Sequence, residues 1–265
     1  MGIQTGIFPF TGKLGTAIGY LYRGKYCFRS MPSSVKQTEA TRKAASDFGT
    51  ASRSARLLRQ ALDSVCDLSY DTTFGNRLNR AMGSVLRADM EHKRGRRRIS
   101  NGDLTRLSGF RVNSNTFVHD ETGIVRHFGG HISVTITNPG RNIPPKANAM
   151  QYRAIALLPD FALGTCQTVV SEAVVFNPQT DQGEVELMLP VPASSQAIIV
   201  VEVTCCNDRG TMRMKFFNAL DIIGVMPPMK AERPAKAKPV SKKEKGSALP
   251  LVAVHYPAGN QYSPG

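Results

Sequence analysis

From His131 to Met226 the apolar residues of this chain recur at a spacing of two, and no helical period intervenes. In HISVTI, Ile132, Val134 and Ile136 alternate with polar neighbours. QYRAIALL, GEVELML and QAIIVVEVT continue in the same style, and NPGRN, NPQTDQG and NDRG supply turn chemistry between them. That spacing predicts an antiparallel β-sandwich, immunoglobulin-like in class, over residues 111–226.

Upstream the period changes twice. Within TGKLGTAIGYLYRGKYCFRS, residues 11–30, two alternating arms flank Arg23-Gly24-Lys25. Tyr20 and Tyr22 stand two apart in one arm, Tyr26 and Phe28 in the other, as a pleated surface favours. Gly24 supplies the positive φ of a tight connection, so the stretch predicts a β-hairpin that ends at Met31-Pro32. A phosphate loop does not fit. Gly6 to Gly12 encloses five residues rather than four, Leu14 replaces the Ser or Thr that meets Mg²⁺, and Pro9 removes a cradling amide.

From about Gln37 the spacing becomes three and four. Ala40, Ala44, Ala45, Phe48, Ala51, Ala55, Leu58, Leu62 and Val65 make the apolar stripe of an amphipathic helix that Ser34 or Thr38 can cap. Arg42, Lys43, Arg53, Arg56 and Arg59 fall largely off the stripe. A second helix is predicted near Thr72 to Met90. The expected fold class is therefore α+β: hairpin and two helices over residues 1–110, sandwich over 111–226, then a Lys/Pro-rich tail over 227–265 too poor in apolar area to order itself.

Charge follows the same division. Residues 1–110 carry 19 basic and 8 acidic side chains, residues 111–226 carry 8 and 10, and residues 227–265 carry 7 and 2, for +14 over 265 residues. Basic ends around a nearly neutral centre call for an acidic partner. Lys93, Arg94, Arg96, Arg97 and Arg98 form the densest run, read as a loop or linker, and Lys242, Lys243 and Lys245 reinforce it from the tail. No helix-turn-helix, finger or RNP pattern accompanies them, so nucleic-acid contact is expected at backbone phosphates rather than bases. Tyr20, Tyr22, Tyr26 and Phe28 are assigned to an interaction surface.

Catalytic and metal chemistry find little purchase. His119, Asp120, Glu121, His127 and His131 lie within thirteen residues, but Gly129-Gly130 breaks any helix that would bring them to one face, so no metal or cofactor is expected. No G-x-S-x-G occurs, and Cys205 and Cys206 lie in an apolar strand without a nearby His. Five cysteines without C-x-x-C spacing read as free thiols in a reducing, cytoplasmic setting, and neither a secretory signal nor a membrane span is visible.

The glycines and Gly-Tyr arm, Arg23-Gly24-Lys25, Arg29-Ser30-x-Pro32, and Thr38-x-Ala40-Thr41 opening an alanine-rich helix together resemble a group of uncharacterised Bacteroidetes proteins. QYRAIALLPDF, VFNPQTDQGEVELMLP and AIIVVEVTCCNDRG are similar to their β-rich domain. The resemblance implies architecture only, and the run at 93–98 and the Lys-rich tail depart from it. The resulting expectation is a non-enzymatic structural or assembly protein, a homo-oligomer or part of a protein assembly, whose basic regions bind an acidic partner. The alternative is a nucleic-acid-binding protein without sequence preference.

Overall fold

In the computed structural model, which describes residues 2–228 apart from 7–8, 35, 119–122, 129 and 193, four short strands come first. They are β1 (Gly2–Ile3), β2 (Gly12–Leu14), β3 (Ala17–Tyr22) and β4 (Lys25–Ser30), in the order β1-β4-β3-β2. β3 and β4 are the expected hairpin. Tyr22 pairs with Lys25, so the connection is Arg23-Gly24 alone, with φ of 50° and 76°, the left-handed pair whose twist matches the strands. Gly12 to Leu14 pair with Gly19 to Ala17, so Lys13 sits on a strand and not at a helix entrance. The Gln4 side chain acts as an extra strand residue: Nε2 donates to the carbonyls of Phe10 and Cys27, and Oε1 accepts from the Phe10 N–H.

α1 (Glu39–Asp63) starts where Thr38 Oγ1 accepts the Thr41 N–H, at 3.2 Å. α2 (Phe74–Arg87) follows an Asp71 turn in which the carboxylate accepts from Thr73 N–H and Oγ1. The α1 stripe is buried only in its second half, at Ala51, Ala55, Leu58, Ala61 and Leu62. Ala40, Ala45 and Phe48 remain exposed. Two 3-10 turns, Ile99–Asn101 and Leu104–Leu107, then lead into β5 (Phe110–Arg111).

The remaining strands are β6 (Gly123–Phe128), β7 (His131–Ile136), β8 (Ala149–Asp160), β9 (Thr165–Val170), β10 (Val174–Phe176), β11 (Val185–Leu189), β12 (Ala197–Asn207), β13 (Gly210–Thr211) and β14 (Asn218–Met226). The larger sheet runs β10-β8-β12-β14-β5, with β9 also on β8 and β13 on β12; β11-β7-β6 make a smaller one. All pairings are antiparallel. The two sheets face each other across a core of Ile132, Val134, Leu187, Tyr152, Ile199 and Val201. This strand order does not by itself make the pair immunoglobulin-like.

Alternate residues of β8 and β12 point the other way. Ile155, Leu157, Ile198 and Val200 form a second core with Leu58, Leu62, Leu78, Met82 and Leu86 of the helices. Burying each such side chain is worth about 1.5–3 kcal/mol, and that apolar area is what holds helices to sheet. The division expected at 110/111 is therefore corrected. β5 straddles it, the two helices share a core with the sheet, and Met1–Met229 forms one compact unit. The second unit, Lys230–Gly265, lies outside the described residues.

Two partly buried ion pairs lock the layers. Arg77 reaches Asp71 at 2.6 Å and donates to the carbonyls of Arg111 and Val112. Arg153 pairs with its cross-strand neighbour Glu202 and donates to the Val65 carbonyl beyond the end of α1.

Candidate functional site

The basic run is a loop, as its lack of period predicts, but a pinned one rather than a linker. Gly95 has φ +91°, and a Cβ there would come within 3.0 Å of the Lys43 Cα, so the chain can press onto α1 only as glycine. Its N–H donates to Asp47 Oδ1 at 2.8 Å, and its carbonyl accepts from Ser46 Oγ at 2.8 Å. Asp89, buried, anchors the loop's two ends by accepting from the Glu91, His92 and Arg98 N–H groups. Burial by itself raises the Asp89 carboxyl; the Arg98, His92 and Glu91 amides outweigh it and hold it below the ordinary carboxylate range.

Pinning the loop opens a cleft on each side of α1, each about 670 Å³. The first lies between α1, the loop and the turn joining β8 to β9, where Arg53, Arg56, Arg97 and Arg98 meet Phe161 and Leu163. The second lies between α1, α2 and the loop, where Arg80, Arg87, Arg94 and Arg97 surround Phe48. Among the described residues Asp47 is the one acid lining either cleft, and it sits 3.5 Å from Arg97. Among the described residues, the other six arginines form no ion pair. The Arg97 Nε–H is buried without an acceptor there. Such an arrangement suits phosphate or carboxylate oxygens, which guanidinium groups meet two at a time.

Of the residues expected from the sequence, Arg94, Arg97 and Arg98 line the clefts, while Lys93 and Arg96 are exposed on the loop and line neither. Lys242, Lys243 and Lys245 lie outside the described residues, as does His119. Sequence reasoning left Arg53, Arg56, Arg80, Arg87 and Phe48 out of the site. Their signal was spacing: Arg53 and Arg56 three apart on α1, Arg80 and Arg87 two turns apart on α2.

The single aromatic surface expected on the hairpin is corrected by its register. Tyr20 pairs with Cys27 and Tyr22 with Lys25, whereas Phe28 pairs with Gly19 and Tyr26 with Leu21, so the aromatics divide between two faces. Lys13, Lys25 and Arg29 share the face of Tyr20 and Tyr22; the face of Tyr26 and Phe28 carries Leu14 and Leu21 and no charge. Only Gly19 and Cys27 are buried among the described residues of this sheet, and neither belongs to a core.

His127 pairs with Ile132 and His131 with Phe128, which places the two histidines on opposite faces of the β6–β7 hairpin. Among the described residues no three His, Cys, Asp or Glu side chains converge, and no helix is long and apolar enough to cross a membrane. The cysteines there are free; burial pushes the Cys66 thiol up to about 12 and the Cys166 thiol up to about 11, away from the thiolate form a nucleophile needs. No family model, curated protein or solved structure matches the chain.

Proposed function

We propose that this chain is a non-enzymatic assembly protein whose arginine-lined face binds an acidic macromolecule. The observation that carries the reading is the gathering of seven arginines around one pinned loop with a single acid among them. Charges left without protein partners are costly to crowd and gain most from an external polyanion, whose binding releases counterions. The buried carboxylates Asp71 and Asp89 are engaged as turn and loop anchors, accepting from Thr73, Ser114 and Arg98 N–H groups.

Titrating the full chain against heparin across a salt series tests this. Affinity is expected to fall steeply as salt rises, and Arg56→Gln with Arg98→Gln should flatten the dependence. Absence of binding to polyanions at low salt overturns the reading.

Self-association is a second reading, favoured by the N-terminal sheet. Its uncharged face leaves Leu14 and Leu21 each more than half exposed, at 63% and 58%. Among the described residues, two copies meeting there bring no like charges together, whereas the opposite face carries Lys13, Lys25 and Arg29, with the Arg23 guanidinium over the Tyr22 ring. Light scattering should report a dimer or larger that Leu21→Asp converts to monomer; a strict monomer at high concentration excludes it.

A further inference from the structure

We propose that the acidic partner is a single-stranded nucleic acid, its phosphates held by Arg80, Arg87 and Arg94 and one unpaired base stacked on Phe48. The inference rests on the arginine-face reading above and adds the class of ligand. Phe48 lies on the apolar stripe of α1, where periodicity calls for burial, yet it is 65% exposed. Nothing in either core covers it. A lone exposed aromatic is ordinary on a protein surface; what sets Phe48 apart is the set of arginines that shares its cleft.

Phe48 shares its cleft with three arginines that lack ion pairs among the described residues. Asn76 and Asn79 of α2 line the same cleft and present amide donors and acceptors. Cations beside an aromatic platform are the combination that tracks a backbone and stacks its bases without reading sequence. A duplex keeps its bases stacked inside and gives Phe48 nothing to hold, and an acidic polypeptide uses the arginines but leaves the ring idle. The single strand is the polyanion that uses both.

The test is fluorescence anisotropy of the full chain with a labelled oligothymidine of about twenty nucleotides, a duplex of equal length and polyglutamate, across salt. The single strand should bind tightest at matched salt. Phe48→Ala should weaken it on the order of tenfold without altering the salt slope, and Phe48→Trp should restore binding. Arg87→Gln and Arg94→Gln should each lower the slope by about 0.7. Thermal melts of each variant confirm that the fold is retained.

Equal affinity for duplex and single strand with a silent Phe48→Ala overturns the assignment and leaves the arginine-face reading standing. Binding of polyglutamate alone does the same. Binding of none of the three at low salt overturns both.

Discussion

Gly95 and Asp71 show how much rests on single positions. At Gly95 a left-handed φ coincides with close approach to the α1 backbone, so Gly95→Ala faces both strain and a clash with Lys43. The expected cost is about 1–3 kcal/mol by urea unfolding, with polyanion affinity falling more than for an exposed control on the same loop. Asp71 is buried, which raises its carboxyl, but the hydroxyl and N–H groups of Ser114 and Thr73 prevail and hold it well below the ordinary carboxylate range. A depressed folded-state value stabilises above the unfolded value of about 4 and loses that contribution as pH falls toward the depressed value. Asp71→Asn should therefore cost about 1.5–3 kcal/mol at pH 7, where it removes charge-assisted hydrogen bonds from a buried carboxylate, and the gap to the parent should shrink steadily in acid. A gap independent of pH would show that the carboxylate's charge contributes nothing.

At the level of elements, α1 is two half-helices by environment. Leu58, 1% exposed, sits in the half that meets the sheet, and Leu58→Ala should lower stability by about 2–5 kcal/mol in chemical denaturation. The helices and the β3–β4 hairpin were legible in the sequence because period and turn chemistry agreed: 3.6 for α1 and α2, two plus Arg23-Gly24 for the hairpin. β1 and β2 were not, since two or three residues carry no period, and the Gln4 amide that ties β1 to the loop before β2 has no sequence signature. The division of the aromatics between faces was legible in principle. Side chains across a two-residue turn fall into register pair by pair, so Tyr22 opposite Lys25 fixes every other pairing.

At the largest scale, the sequence divided residues 1–226 into two bodies where the structure has one compact unit, Met1–Met229. The missed signal lay in QAIIVVEVT, whose continuous run at Ile198 to Val201 belongs to a strand buried on both faces. Such a strand needs a layer on each side, and α1 and α2 provide the second. Unfolding of Met1–Met229 should accordingly be a single event: helix signal by circular dichroism and tyrosine fluorescence should trace coincident denaturation curves. Two resolved transitions would mean that helices and sandwich are separable after all. The arginine site was half legible for a related reason. Arg94, Arg97 and Arg98 are adjacent in the chain, whereas Arg53, Arg56, Arg80 and Arg87 reach them only through helix packing.

Asp47 stands among these cations as a resident competitor. It already contacts Arg97 and the Gly95 amide, so a small anion arriving there would have to displace it. On the proposed reading, a long polymer would bypass that occupied spot and draw its attraction from the arginines on either side that lack ion pairs among the described residues, so affinity should rise with the length of the polyanion.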